Sequence, residues 1–589
     1  MKLVIVESPN KIRKIRGYLG PDYNIAASFG HVRDLPAKGD LAVAFEDGRI
    51  IPTYVMLERS SNCIRELKEL AKKADEILLA MDPDREGEAI AWHVSALLGE
   101  HKYSRVVFHS ITKKEVQEAV AKPRPLAQHL VDAQQARRVL DRVVGWLVSP
   151  TLRSVGKEAR SAGRVQSVAL RLVARREQEI NRHNNVEYYS LSAKLEKPGS
   201  PPSFTAELVA WKGEPLAHRL RDQELADQTV AWLKNQEWKV LSCQRKDANR
   251  NAPPPFTTAT VQQAASVKLA MNPDQTMKLL QGLFEEGKIT YHRTDSSALA
   301  PEAVEMARRI IAKKFPPDYL PEKGIVHASK AANAQEAHEA IRPTDPETGP
   351  GAAGDASGKL YKLIWQRFVA CQMAPGRDQI TTIDVAVAPA EWEHAEKGKV
   401  PRGVFQAKGK VVLFDGWRKL VGGDATQEKK KKDDEEEADV ELPMLEVGDE
   451  LKLLAAAAKK KKTKPPARYT QASLIKKLET DGIGRPSTYA NIMKTIMARG
   501  YVKDVKRKLH CTPLGMDVTR FLVVHYSGNF IELDYTARLE EELDRISRGE
   551  AQWEQVVTEA SFAVLKLAKQ AGLWRNPLKP RAKPEEAAK

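Results

Sequence analysis

Two short apolar runs constrain most strongly what the first part of this chain can become. Leu3-Val4-Ile5-Val6 and Ile77-Leu78-Leu79-Ala80-Met81 have no polar face, and each stops at an acid, Glu7 or Asp82. A strand without a polar face is buried on both sides, as in a parallel sheet covered by helices. Ser8-Pro9 supplies an N-cap and a first helical residue, and Ile12, Ile15 and Leu19 then line one helical face. The second run passes through Asp82-Pro83-Asp84-Arg85-Glu86-Gly87-Glu88 into a helix containing Ala89, Ile90 and Trp92. A third strand is expected at Val106-Val107-Phe108, followed by a capping box, Thr112-x-x-Glu115. Residues 1–127 are therefore expected to form one compact α/β unit.

Open α/β sheets hold ligands at the carboxyl ends of their strands. Glu7, Lys11 and the acidic turn stand at such ends. Asp82, Asp84 and Glu86 alternate, and carboxylates so close together raise one another's pKa unless a cation lies among them. Oxygen-only donors suit Mg²⁺, which keeps several waters and bridges to phosphate. A solvated acidic loop is the bland alternative, and the hydrophobic strand that presents the acids weighs against it.

A second stretch carries a different chemistry. Asn272-Pro273-Asp274-Gln275 is a capped helix start, Met277, Leu280 and Phe284 recur at helical spacing, and Gly287 is the expected stop. Tyr291 and Arg293 follow directly. A tyrosine hydroxyl is a poor nucleophile at its ordinary pKa of ~10. An adjacent guanidinium can stabilise charge on a phosphate oxygen through paired hydrogen bonds. The pair points to covalent phosphoryl chemistry, although a Tyr-x-Arg triplet alone is usually surface or core.

The remainder alternates in character. Residues 128–185 are expected to be helical, with Gln134, Gln135, Arg138, Asp141 and Arg142 close to one face. Residues 186–250 and 376–465 alternate like strands, and 251–375 is a helical insert that opens on a Pro-rich connector. His338 and Arg342 are four apart there, so they are expected on one helical face. The lysines of 455–462 are taken as a solvated run, and 428–437 as a low-complexity loop. Residues 466–573 return to helix, with Gly484-Arg485-Pro486-Ser487-Thr488 between two helices, and 574–589 form a basic, disordered tail. Strand-like segments bracket one helical block, and helical segments bracket both. That pattern implies nested, discontinuous domains.

A net charge of +16 favours a polyanionic partner, nucleic acid before an anionic membrane. Cys63, Cys243, Cys371 and Cys511 form no C-x-x-C pair, so neither a zinc ribbon nor a disulfide framework is expected. No apolar run approaches a membrane span, and the amino terminus turns acidic too soon for a signal peptide. A cytoplasmic, nucleoid-associated protein is expected.

Taken together, the motifs resemble those of bacterial type IA DNA topoisomerases, on the topoisomerase I branch. Val4-Ile5-Val6-Glu7-Ser8-Pro9 and Asp82-Pro83-Asp84-Arg85-Glu86-Gly87-Glu88-Ala89 are similar to the two signatures of its Toprim domain. Ser28 to Pro36, Ala133 to Arg138, Ser161 to Ser167, Ile289 to Ser296, Ala337 to Pro343 and Gly484 to Tyr489 match further blocks in family order. The resemblance implies a multidomain toroid of mixed α/β, α and β parts: a Toprim domain at 1–127, a helical DNA-binding domain from 128–185 and 466–573, a β-rich arch from 186–250 and 376–465, and a helical domain at 251–375 carrying the tyrosine. It implies an ATP-independent isomerase that cuts one strand of negatively supercoiled DNA, passes a strand and reseals. Tyr291 would become a 5′-phosphotyrosine, Arg293 would stabilise the transition state, Glu7 would handle the proton of the 3′-hydroxyl and Lys11 would neutralise the phosphate. Mg²⁺ would be held by Asp82, Asp84 and Glu86 with Glu7, and single-stranded DNA by His31, Arg138, Asp141, Arg142, Arg164, Gln166, His338, Arg342, Arg485 and Thr488. No nucleotide cofactor, no membrane and a monomer are expected, in line with the absence of a Walker loop.

The chain departs from the family pattern in three ways. His292 replaces the usual Met, which raises a local pH effect. The Cys₄ zinc ribbons are missing, which implies less processive relaxation. The stretch between the Toprim signatures is short. Rival readings are a topoisomerase III-like decatenase, whose dedicated loop is not evident, a non-cleaving DNA-binding protein, and another Toprim enzyme, which would not need the Tyr291 block.

Overall fold

The structure is a computed structural model, and it describes residues 1–37, 41–46, 49–215, 220–327, 339–351, 354–388, 391–394, 396, 398–422 and 441–570. The acidic run at 428–437, His338 and the tail beyond Trp574 lie outside these.

The first apolar runs do form neighbouring parallel strands. The four-stranded sheet runs Tyr23–Ala27, Lys2–Val6, Glu76–Ala80, Tyr103–Arg105, with every pair parallel. Strand geometry sends alternate side chains to opposite faces. Leu3, Ile5, Ile77, Leu79 and Met81 pack on one face with Ile64 and Leu67 of the helix Ser61–Ala71 and with Ile90 and Val94 of the helix Arg85–Leu98. Val4, Val6, Leu78 and Ala80 pack on the other, in a cluster that continues through Phe256, Val261, Leu280, Phe284 and Tyr291. One unbroken apolar core therefore joins the sheet to the segment carrying the tyrosine.

The third strand is displaced from its expected position. It is Tyr103–Arg105, not Val106-Val107-Phe108. Val106 N still donates to Leu79 O at 3.0 Å, but the ladder goes no further, and Val106 and Phe108 are buried in the core shared with Phe256 and Tyr291. Thr112 caps the helix Lys113–Ala121 through Glu115 N, but the Glu115 carboxylate turns away to His109 N and Ser110 N. The capping box is thus only half formed.

The strand-like segments of both later blocks meet in one antiparallel sheet. Its order is Glu214–Pro215, Ser200–Trp211, Gly403–Phe414, Gly376–Ala388, Glu237–Arg250, Glu450–Lys462, Glu187–Lys197, and Ser200–Trp211 also pairs with Glu187–Lys197. That last pairing closes the sheet on itself around Leu195, Phe204, Trp238, Ile383 and Phe405. The lysine run is solvated as expected, with Lys459, Lys460 and Lys462 exposed, and it belongs to the strand Glu450–Lys462, with Lys459 to Lys462 opposite Ser190 to Glu187. A helix, Gln223–Leu233, interrupts the first strand block.

The helices Gln128–Val148, Arg164–Asn181, Gln471–Thr480, Tyr489–Ala498, Pro513–Tyr526, Leu533–Ser547 and Trp553–Gln570 come from two distant stretches. Val148, Val168, Leu172, Leu474, Ile492, Leu522 and Val564 share one core between them. Between the two strand blocks lie Thr258–Leu269, Pro273–Glu285, Pro301–Lys314 and Ala356–Ala370. Among the described residues no helix is long and apolar enough to cross a membrane, and the four cysteines are free.

Candidate active site

The site is built where the carboxyl ends of the parallel strands meet the end of a helix. Pro273–Glu285 starts as expected, with Asn272 Oδ1 accepting from Gln275 N. It ends in Gly287 at φ +61°, with Lys288 N bonded to Leu283 O. A β-carbon at Gly287 would lie 2.4 Å from Ile111 O, so the close approach to the sheet also requires glycine.

The chain after Gly287 is extended and tied on both sides. Thr290 N donates to Arg342 O at 2.9 Å, Thr290 Oγ1 donates to Ala340 O at 2.7 Å, and Thr258 Oγ1 donates to His292 O at 2.7 Å. Arg342 lies in this extended frame, between the bridges of Ile341 to Phe256 and Pro343 to Ile289. The expected helical face with His338 is therefore not formed at Arg342. Its guanidinium is held by both oxygens of Glu339.

Tyr291 is 2% exposed. Its N–H donates to His109 O at 2.7 Å, Phe284 stands edge-on at 5.2 Å, and its hydroxyl donates to Asp84 Oδ2 at 2.6 Å. Burial and the Asp84 charge lift the phenol well above its ordinary range. Asp84 also caps the helix Arg85–Leu98, its Oδ1 accepting from Gly87 N at 2.8 Å. One carboxylate thus starts a helix and holds the phenol. Gly87 has no alternative, since a β-carbon there would lie 2.1 Å from Asp82 O.

The charges around the phenol pair with one another. Arg293 Nη1 contacts Glu86 and, at 3.4 Å, Asp84. Burial works against its charge, but Tyr291, Glu86 and Asp84 together keep it protonated. Lys11, 1% exposed, is bonded to Asp82, with the Phe284 ring 5.2 Å from its ammonium. A hydrogen bond from His31 and the Arg293 charge outweigh burial and bring Glu86 down to about 2. Glu7 moves the other way. Burial and then Asp82 and Asp84 lift it to about 8, against the pull of Lys11 and Arg293. His292 is buried, and burial followed by Arg293 and Lys11 hold it well below its ordinary value. It is neutral across physiological pH.

Asp82, Asp84 and Glu86 do not lie together on one loop. Helix begins at Arg85, so Glu86 is in its first turn and Asp84 is its cap. Among the described residues no three acidic, His or Cys side chains converge into a ready cage for a metal. The donors still fit a hard divalent cation in kind. All are carboxylate oxygens, and Asp82 and Asp84 add to burial in disfavouring the Glu7 charge.

The remaining candidates line the helical part, and most are already engaged. Arg138 forms a two-pronged pair with Asp34 at 2.8 and 2.7 Å. Arg142 donates to Pro36 O and Leu41 O. Asp141 pairs with Arg164 at 3.3 Å, and Arg164 also binds Glu540. Arg485 reaches Asp544 at 2.9 and 2.5 Å, and Thr488 Oγ1 accepts from Arg485 N at 2.8 Å. Gln166 is partly exposed in the first turn of its helix, against Gly163. His31 stands 3.6 Å from Glu86.

The sequence missed the acids that organise these arginines. Glu540, wholly buried, takes Arg137 at 2.6 Å, Arg164, and Arg485 at 3.9 Å. Despite burial these three charges hold it far below the usual carboxylate range. Asp544 takes Arg485 and, at 2.6 Å, Arg85. Arg85 lies between Asp84 and Glu86, so the acidic segment is fastened to the helix Leu533–Ser547. The only sequence signal was Arg85 itself, a lone cation inside an acidic run.

The chain is similar to known proteins in sequence and in fold. A DNA topoisomerase family model matches residues 125–558, and a Toprim domain model matches residues 2–111. The DNA topoisomerase 1 of Campylobacter jejuni is 39% identical, over 96% of this chain and 78% of that protein. That of Escherichia coli is 40% identical over 94% of this chain, which spans just under two thirds (65%) of that protein's length. The full-length topoisomerase I of Thermotoga maritima superposes with a TM-score of 0.81 at 32% identity, covering 96% of this chain and 90% of that one.

Proposed function

We start from the fact that the chain belongs to the DNA topoisomerase family, and we propose that it relaxes negatively supercoiled DNA by cutting one strand, passing a strand through the break and resealing it. The observation that carries this reading is a phenol held against Asp84 with Arg293, Lys11 and a protonatable Glu7 around it. Tyr291 Oη attacks a backbone phosphorus and forms a 5′-phosphotyrosine ester. Its proton leaves along the existing hydrogen bond toward Asp84 Oδ2. Glu7, lifted to about 8, carries a proton at neutral pH and delivers it to the departing 3′-oxygen. Arg293 and Lys11 take up the charge that grows on the phosphoryl oxygens, and losing either costs on the order of 2–4 kcal/mol of transition-state stabilisation.

The ester keeps the energy of the bond it replaces, so resealing is the same path reversed and needs no nucleotide. Asp82, Asp84 and Glu86, joined by Glu7 once it has given up its proton, would hold a divalent cation, Mg²⁺ by donor kind, which when bound supplies further neutralisation of phosphate charge. Single-stranded DNA lies along His31, Arg138, Asp141, Arg142, Arg164, Gln166, Arg342, Arg485 and Thr488, with His338 beyond the described residues. Binding requires phosphates to displace the carboxylates that occupy Arg138, Arg164, Arg342 and Arg485 and the carbonyls that hold Arg142. We divide the chain at 127, 185, 250, 375 and 465, with the interleaved pieces closing a ring, and we propose that a cytoplasmic monomer does the work.

The test has two parts. Purified protein with Mg²⁺ and no ATP is expected to relax negatively supercoiled plasmid, and the peptide joined to 5′-labelled DNA is expected to contain Tyr291. No relaxation across salt and Mg²⁺ ranges, or an adduct on another residue, would refute the reading.

A further inference from the structure

We propose that Phe29 is a stacking platform for an unpaired nucleobase of the cleaved strand, on the side that carries the leaving 3′-hydroxyl. The proposal rests on the strand-cleavage reading above.

Phe29 is out of place by ordinary folding criteria. Its ring is 62% exposed, directly after the buried Ala27 and Ser28. Its φ is +57°, the left-handed region, which bulky residues rarely occupy. The conformation is enforced from both sides. Ser28 N donates to Val6 O at 2.9 Å and Gly30 N to Glu7 O at 3.2 Å. Beneath the loop, Cys63 Sγ donates to Ala27 O at 3.3 Å and Ser60 Oγ to His31 O at 3.5 Å. The backbone before and after Phe29 is thereby tied to the strand end bearing Glu7, and the ring between them is turned to solvent. No core needs the ring there, and glycine would meet the φ requirement without cost. A strained, exposed aromatic ring held rigidly at a strand end calls for a partner from outside the fold.

The sheet order identifies that partner. Along its carboxyl edge the strands are Tyr23–Ala27, Lys2–Val6, Glu76–Ala80 and Tyr103–Arg105. The groups beyond them follow the same order: Phe29, then Glu7, then Asp82 and Asp84, then His109, whose carbonyl anchors Tyr291. Neighbouring strands are about 4.8 Å apart, so Phe29 stands on the order of 10 Å from the acids that hold the phenol. That distance is a few nucleotides at most. Glu7, which serves the 3′-oxygen, lies between Phe29 and the tyrosine's anchors, so the ring meets the 3′-hydroxyl side of the break. Every base has a π-face, so an aromatic platform holds single-stranded DNA with little regard to sequence.

The experiment uses the full chain carrying Phe29→Ala, Phe29→Gly or Phe29→Trp, with fluorescent single-stranded oligonucleotides. One series bears a single abasic site, moved position by position upstream of the mapped cleavage point. Phe29→Ala and Phe29→Gly are expected to weaken binding about fivefold to a hundredfold, and Phe29→Trp to retain it. Phe29→Gly is expected to melt no lower than the wild type, which a structural role for the ring would not permit. One abasic position is expected to weaken wild-type binding by the same factor and to add nothing in Phe29→Ala. Unchanged binding by Phe29→Ala and Phe29→Gly, or a loss that persists at every abasic position, would overturn the proposal. If wild type yields no adduct at Tyr291, the cleavage reading fails instead. Adducts with no Phe29 effect overturn the stacking site alone.

Discussion

Glu7→Gln tests what burial and the neighbouring acids cost the Glu7 charge at the strand ends. In the folded chain Glu7 is lifted from 4.5 to about 8, first by burial and then by Asp82 and Asp84. Between those values the unfolded chain has released the proton and the folded chain still holds it. Stability therefore falls as pH rises, by up to about 1.4 kcal/mol per pH unit, and levels off once pH passes about 8. Glutamine is neutral in both states and escapes this loss. Measured without divalent cations, in EDTA, the variant's stability advantage is expected to be near zero at about pH 4.5. It then grows to roughly 3–5 kcal/mol by about pH 8 and stays flat above. Urea-unfolding midpoints of both proteins at half-unit pH steps give the difference directly. Two curves parallel from pH 5 to 9, or a gap that opens toward acid, would show that neither burial nor the neighbouring acids lift Glu7. The same proton is expected to appear in kinetics. Single-turnover cleavage by wild type in EDTA should decline as pH rises through about 8, because the donor to the 3′-oxygen is then lost.

Three further expectations follow from the same contacts. Tyr291→Phe is expected to bind single-stranded oligonucleotide like wild type and to leave no label on the protein after denaturation. Glu540→Gln removes the buried charge shared by Arg137, Arg164 and Arg485, and a loss of about 3–5 kcal/mol in urea unfolding is expected. His292→Met is expected to leave the pH profile of relaxation between pH 6 and 9 unchanged, since burial already keeps His292 neutral there. A shifted profile would mean that the imidazole titrates during the reaction.

What could be read in the sequence was local, and what could not was long-range. Apolar runs without a polar face announced Lys2–Val6 and Glu76–Ala80 as buried strands, and Asn272-Pro273 announced a helix start. Val106-Val107-Phe108 failed the same rule because the strand ends at Arg105, and beyond the single bond of Val106 N to Leu79 O it is tertiary burial that makes the run apolar. Lys459 to Lys462 lie in a block read as strand-like although Ala and Lys are poor strand formers, and the pairing with Ser190 to Glu187 overrides that preference. Arg342 was placed on a helix by its spacing from His338. Pro343 follows it, however, and a residue before proline is driven to extended backbone. The tyrosine, the arginine and the acids each stood out as stretches. That the phenol's partner is Asp84, 207 positions away, and that Glu540 and Asp544 gather the arginines, depends on packing that no local pattern encodes.

The pairing of Arg138, Arg164, Arg342 and Arg485 with carboxylates changes how binding should respond to salt. A free cation that meets a phosphate releases counterions, and each such contact adds about −0.7 to the logarithmic salt slope for single strands. A cation already held by an aspartate releases that aspartate instead, so it contributes little slope and costs affinity. Arg138 and Asp34 form the clearest case, a two-pronged pair with both side chains part-exposed. Asp34 Oδ1 also accepts from Leu35 N at 2.8 Å, a bond that asparagine can keep. Asp34→Asn is therefore expected to tighten single-stranded DNA binding and to steepen its salt slope by about 0.7, read from affinities across a salt series. Weaker binding with an unchanged slope would mean the opposite: that Asp34 aims Arg138 at the phosphate and does not compete with it. The closed site would then be a preformed cradle, and the carboxylates around it supports, not placeholders for DNA.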